Sequence, residues 1–98
     1  MVYLITWNLN GENPFKYNIK RKALIERIEA FDEHLMGQKL ESTAFVNSNS
    51  DSETISKHLV ANILDSNDRL IVTKMSKNSY DGLMTRSDWD WIEIRLQS

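Results

Sequence analysis

The chain opens with an alternation of side chains that predicts a β-strand. Over residues 2 to 8 both alternating sets are bulky or β-branched, as in a central strand that packs on two faces. The segment from Gly11 to Pro14 then breaks the pattern with turn residues. The first strand is therefore predicted to end at Asn8.

Two stretches show the spacing of amphipathic helices. In the first, apolar residues at i, i+4, i+7 and i+11 form one stripe and Gly37 stands at a C-cap position, which predicts a helix from Tyr17 to Met36. The second stretch follows a capping box formed by Ser50 and Glu53. The stripes consist of Leu24, Ile28, Phe31 and Leu35 in the first helix and of Ile55, Leu59 and Ile63 in the second.

Strands are predicted on either side of the second helix. Residues 39 to 47 have the composition of a strand, with a kink or tight turn near Ser42 and Thr43. The segment from Arg69 to Met75 is rich in β-branched residues and predicts another strand. The acidic stretch 65 to 68 has too few carboxylates for a cation-binding loop, so we interpret it as a turn.

The tail fits two conformations. A helix capped by Ser87 would place Trp89, Ile92 and Leu96 on one face, whereas a strand would place Ile92, Ile94 and Leu96 on one face. We favour the helix, which would cover the chain's own sheet. A strand could instead cross to a partner chain.

With residues 39 to 47 counted as two strands separated by the turn near Ser42 and Thr43, the order of elements without the tail is βαββαβ, which predicts an α+β fold of the ferredoxin-like type. In that fold a four-stranded antiparallel sheet carries both helices on one face, and right-handed crossovers place strands one and three in the centre. We expect residues 1 to 98 to form a single domain, with a core over residues 2 to 75 and a C-terminal extension over residues 76 to 98.

The second face of such a sheet is expected to carry apolar side chains from the first strand. Either Tyr3, Ile5 and Trp7 or the alternating set opposite them would lie on it. An exposed apolar face of this kind usually marks a contact with a partner. A homodimer is therefore expected, and two sheets packed back to back are its simplest form.

Composition limits the kinds of site that the chain can form and its expected location in the cell. It contains no cysteine, which excludes disulfide bonds and thiolate metal sites. The N-terminal apolar run is too short for a signal peptide or a membrane span. We therefore expect a soluble, cytoplasmic chain that does not bind membranes.

The charge of the whole chain does not favour nucleic-acid binding. The net charge is −2, so any site for phosphates must be a local patch. The densest basic cluster lies at the predicted start of the first helix and consists of Lys16, Lys20, Arg21 and Lys22. We interpret this cluster either as a solvated face or as a patch that contacts phosphates or a partner.

Three segments resemble a known group of proteins. The segments YLITWNLN, LESTAFV and LDSNDRLIV are similar to those of the SinR-like small bacterial proteins, relatives of the CRISPR-associated adaptation protein Cas-two and of VapD-type ribonuclease toxins. The resemblance covers about residues 2 to 75. It implies a ferredoxin-like fold and a symmetric dimer, and in the nuclease members an Asp at the end of the first strand of each chain holds a divalent metal.

The chain departs from this pattern at the position of that Asp. Asn8 stands there, and its amide oxygen brings no negative charge to Mg²⁺. We interpret Asn8 and Asn10 as caps of the strand end, as a weakened or relocated metal site, or as polar contacts to a nucleotide or protein. Ser42 and Thr43 match a family position near the dimer axis, where they would make a backbone hydrogen bond or contact a phosphate.

Two functions follow as hypotheses. The first is a non-catalytic, dimeric scaffold that resembles the CRISPR-associated adaptation proteins, acts through protein or weak nucleic-acid contacts and needs no cofactor or metal. The alternative is a metal-dependent endoribonuclease or toxin-type RNase, in which carboxylates other than the missing Asp hold Mg²⁺. The amide of Asn8 favours the first hypothesis.

Overall fold

The structure, a computed structural model, describes residues 1–97, which form four strands and three helices. The strands are β1 (Val2–Asn8), β2 (Glu33–Met36), β3 (Thr43–Asn47) and β4 (Arg69–Lys74). The helices are α1 (Pro14–Glu29), α2 (Ser52–Val60) and α3 (Arg86–Gln97). This order confirms the predicted ferredoxin-like fold and the helical conformation of the tail, whose last residue, Ser98, lies outside the described residues.

All four strands pair antiparallel, in the order β2-β3-β1-β4. As predicted, β1 and β3 lie side by side in the centre, with Leu4 opposite Phe45. On its other side β1 pairs with β4, where Trp7 lies opposite Leu70. Because β1 and β4 are antiparallel, the C-terminal end of β1 lies beside the start of β4, with Asn8 opposite Arg69.

The two faces of β1 pack against different helices. Tyr3, Ile5 and Trp7 face α1 and α2 and join the main core. The helical side of this core is formed by Leu24, Ile28, Ile55 and Leu59. The opposite set, which begins with Val2 and Leu4, is therefore the one on the second face of the sheet.

The first helix is shorter than the apolar spacing predicts. It begins at Pro14, after the Asn13 side chain caps the amide of Lys16 at 3.1 Å, and it ends at Glu29 rather than Met36. Residues 33 to 36 instead form β2, because pairing with β3 places Leu35 opposite Phe45. Tertiary pairing thus overrides the helical spacing of these residues.

Gly37 lies in the turn between β2 and β3 and is not a helix C-cap. Its amide donates to the carbonyl oxygen of Thr43 at 3.0 Å. A Cβ atom on residue 37 would stand 2.9 Å from that oxygen, so a larger residue would force the turn apart. This turn occupies much of the segment predicted as strand, and β3 begins only at Thr43.

Two other predicted caps are wrong by one or two residues. Helix α2 is capped by Asp51, whose carboxylate accepts the amide of Thr54 at 2.8 Å, and not by Ser50. At the start of α3, Thr85 accepts the amide of Asp88 at 3.3 Å, in the place predicted for Ser87.

Within residues 1–97, no helix has both the length and the apolar character needed to cross a membrane.

Helix α3 covers part of the second face of the sheet. Ile92, Val2 and Phe45 are all buried there, and α3 lies against β1. The Arg95 guanidinium stacks over the Trp91 ring at 4.1 Å and pairs with Glu33 of β2 at 3.1 Å. The predicted helix therefore covers its own sheet, as we expected of a helix rather than a strand.

Candidate functional site at the end of the first strand

Asn8 is exposed at the C-terminal end of β1, beside a cation. The pairing of β1 with β4 places Asn8 opposite Arg69, so the two side chains lie on the same face of the sheet. The Arg69 guanidinium donates to the carbonyl oxygens of Ser66 and Asp68 at 2.7 and 2.8 Å. The cross-strand neighbour of Asn8 is thus Arg69, whose positively charged guanidinium is held in place by two hydrogen bonds.

Ser42 and Thr43 lie at the same end of the sheet. The carbonyl oxygen of Ser42 accepts the amide of Trp7 and the hydroxyl of Thr6, both at 3.1 Å. Thr43 is the first residue of β3 and pairs with Thr6. The structure therefore brings Asn8, Ser42 and Thr43 to one end of the two central strands.

Asn10 organises the loop that follows β1. Its side-chain oxygen accepts the amide of Glu12 at 2.8 Å, a turn that asparagine forms readily. The backbone amide of Asn10 donates to the Asp68 carboxylate at 2.8 Å. The side-chain oxygen of Asn10 is therefore occupied by the chain itself.

The Asp68 carboxylate is the most buried polar group at this end of the molecule, since its side chain has an exposure of 0%. It accepts the amides of Asn10 and Asp65 at 2.8 and 3.0 Å, and the ammonium of Lys20 at 2.9 Å. Lys20 also pairs with Asp65 at 2.9 Å. This network ties the loop after β1, the turn before β4 and helix α1 together.

The network keeps its members charged. Burial raises the pKa of Asp68, but the amides of Asn10 and Asp65 and the Lys20 ammonium outweigh burial, so that its pKa is lowered. The hydrogen bond from Lys20, with that from the amide of Asn67, lowers the pKa of Asp65. The same hydrogen bonds to Asp65 and Asp68 raise the pKa of Lys20.

The basic cluster predicted from the sequence is divided by the fold. Lys20 is committed to the two aspartates, and Arg21 is half-buried. Lys16 and Lys22 are exposed. The four cations therefore do not form one continuous patch at the strand end, and the sequence offered no sign of the ion pairs that separate them.

The side chains at this end do not fit a Mg²⁺ ion. Asn8 is neutral, Arg69 is cationic, and the carboxylates of Asp65 and Asp68 are bound to Lys20. Magnesium is usually held by one or two carboxylates together with water. In the part of the chain that the structure describes, no three His, Asp or Glu side chains are grouped so that they could hold a metal ion.

Comparison with solved structures relates the fold of the chain to that of a known protein. The crystal structure of Cas2 from Streptococcus pyogenes, determined at pH 6.5, aligns with the chain at a TM-score of 0.59 and 21% sequence identity. The alignment covers 85% of this chain and 99% of that one. The chain has the fold of Cas2.

The likeness to Cas2 concerns the fold. It agrees with the ferredoxin-like fold that the sequence segments imply, and nearly the whole of Cas2 is matched. No protein-family model matches the chain. No curated protein sequence matches it either, and the SinR-like grouping stays a prediction.

Proposed function

We propose that the chain is a non-catalytic, homodimeric scaffold of the Cas2 type, acting through contacts with proteins or, more weakly, nucleic acids. The observation that carries this proposal is the neutral Asn8 beside Arg69, at the place where a metal-dependent nuclease needs negative charge. In this account residues 1 to 98 form one cytoplasmic domain related to the SinR-like proteins.

Cleavage of RNA tests the non-catalytic role. We expect purified protein to leave a mixed RNA intact with Mg²⁺ or Mn²⁺, at the level of a sample without protein, in a gel assay. The Asn8→Ala variant is expected to behave in the same way. Cleavage by the wild-type chain that is abolished both by EDTA and by Asn8→Ala would overturn the scaffold and support the ribonuclease.

A groove on the second face of the sheet supports the dimer. Helix α3 covers one part of that face, so a second copy can use only the remainder. There, a groove of about 400 Å³ lies between the sheet and the segment before α3, lined by apolar side chains that include Leu4, Phe45, Met75 and Met84. Leu83 lines the same groove and is 95% exposed.

A surface that carries both an exposed leucine and an apolar groove can be complementary to a second copy of itself. In a two-fold dimer, each copy can place its Leu83 in the groove of the other, as an isologous contact requires. The exposed Ile71 of β4 lies next to this region, because it pairs with Thr6, which lines the groove. These side chains supply apolar surface that a partner would remove from water.

Substitution of Leu83 tests this dimer. The change Leu83→Ser is expected to raise the dimer dissociation constant at least about tenfold, because each interface loses two buried leucines. Sedimentation velocity over a range of concentrations measures this constant. Ile94→Ser, at a 65% exposed position on α3, is the matched control and should leave it unchanged. A monomeric wild-type chain, or a Leu83→Ser dimer of unchanged affinity, would contradict the proposed interface.

A further inference from the structure

Helix α1 carries apolar side chains on two opposite sides. Leu24 and Ile28 are buried in the core, whereas Phe15 and Ile19 are 74% and 55% exposed. At about 100° per residue, Phe15 and Ile19 lie within about 40° of each other and about 180° from the buried pair. The sheet can cover only one of these sides, so the other is left to solvent.

Two lysines accompany the exposed pair. Lys22 lies about 20° from Phe15 around the helix axis, and Lys16 flanks the same side at the first turn. The first turn contains no acidic residue. Among residues 1–97, neither of these ammonium groups forms an ion pair, in contrast to Lys20.

We propose that this outward face of α1, formed by Phe15, Lys16, Ile19 and Lys22 and called here the Phe15 face, binds an acidic amphipathic helix of a partner protein. The inference rests on the proposed function, since it names the kind of protein that the scaffold contacts. Apolar side chains one turn apart are anchors for a helix packed alongside. The lysines and the positive end of α1 attract carboxylates at its edge.

Other occupants fit the Phe15 face less well. Single-stranded nucleic acid is usually held by several aromatic rings among Lys and Arg, and this face has one ring. A second copy would bring the same lysines together, and two apolar side chains fall far short of the roughly 800 Å² that each partner buries in a stable dimer. Glu26, exposed on the same side, limits an acidic partner to the first turns.

The test uses a synthetic acidic helix as the probe. A peptide of about 18 residues, or five turns, with leucines at helical spacing and glutamates elsewhere, is titrated into the full ¹⁵N-labelled chain. We expect amide chemical-shift changes confined to residues near Phe15 and Ile19. The double variant Phe15→Ser/Ile19→Ser should weaken binding at least about tenfold, as expected for central anchors.

Charge variants and controls complete the test. Lys16→Gln/Lys22→Gln should weaken binding several-fold and reduce its dependence on salt, since exposed charges are screened. Ile94→Ser on α3 is the matched apolar control and should bind the acidic peptide with the affinity of the wild-type chain. A peptide with lysines in place of the glutamates is the matched control probe and should not bind. The amide spectrum of each variant shows whether it is folded.

Several results would overturn the inference. They are the absence of binding to the wild-type chain, equal affinity of the Phe15→Ser/Ile19→Ser variant, and shift changes on another surface. Binding of oligo(U) RNA, or self-association, that is lost in the same variant would assign the face to that occupant instead. RNA cleavage or a monomeric wild-type chain would defeat the proposed function alone, because neither result depends on the Phe15 face.

Discussion

Replacement of Asp68 by asparagine is expected to lower the free energy of unfolding by about 3 kcal/mol. The carboxylate is fully buried and accepts the amides of Asn10 and Asp65 as well as the Lys20 ammonium. An amide nitrogen at residue 68 would face at least one of these donors and leave it without an acceptor. Urea unfolding followed by tryptophan fluorescence measures the loss.

Asp65→Asn is the matched control for Asp68→Asn. The Asp65 side chain pairs with the same ammonium but is 55% exposed. In Asp65→Asn, water can therefore replace much of the lost interaction with Lys20. We therefore expect a clearly smaller loss of stability from Asp65→Asn. Equal losses from the two variants would show that burial of Asp68 does not determine the strength of the network.

The same network predicts how stability depends on pH. Because the folded-state pKa values of Asp65 and Asp68 lie below the ordinary value of 3.8, the unfolded chain takes up protons first as the pH falls. The stability that these groups supply is present above that value and is lost as the pH falls through the folded-state pKa values. The urea midpoint should drop over this range, and less steeply in Asp68→Asn; an unchanged slope would contradict the assignment.

Replacement of Ile92 by alanine is expected to cost about 3 kcal/mol of unfolding free energy. Ile92 is fully buried between α3 and the second face of the sheet, where Val2 and Phe45 are also buried. Truncation would remove three carbons of buried apolar surface and leave a cavity. Urea unfolding at neutral pH measures the change.

The neighbouring isoleucine of α3 provides the control. Ile94 is 65% exposed on the same helix, so Ile94→Ala should change stability by less than about 0.5 kcal/mol. Both substitutions alter helix propensity to the same extent, and their difference therefore measures docking of α3 on the sheet. A similar, small effect of both variants would mean that the C-terminal helix is not held against β1.

The sequence predicts the fold where its pattern matches a single element. The alternation over residues 2 to 8 and the β-branched segment from Arg69 identify β1 and β4. The four residues of β2 were missed because Leu35 continues the helical spacing of α1, and only pairing with Phe45 decides its conformation. Both faces of β1 are bulky, so the sequence left open which face packs on α1 and α2.

The candidate site was predictable only in part. The alternating pattern alone predicts that the first strand ends at Asn8, which places this residue at the end of a strand. The neighbouring Arg69 depends on the register of β4, which no local signal specifies. The ion pair of Lys20 with Asp68 joins residues that are 48 positions apart, so spacing in the sequence could not reveal it.

Binding of Mn²⁺, a paramagnetic substitute for Mg²⁺, tests most directly whether the strand end can hold a catalytic metal. Line broadening in the amide NMR spectrum locates the ion, and Asn8→Asp supplies a comparison that carries the missing charge. The scaffold account predicts no saturable broadening around Asn8 and Arg69 in the wild-type chain. Saturable broadening there that is removed by Asn8→Ala would contradict it.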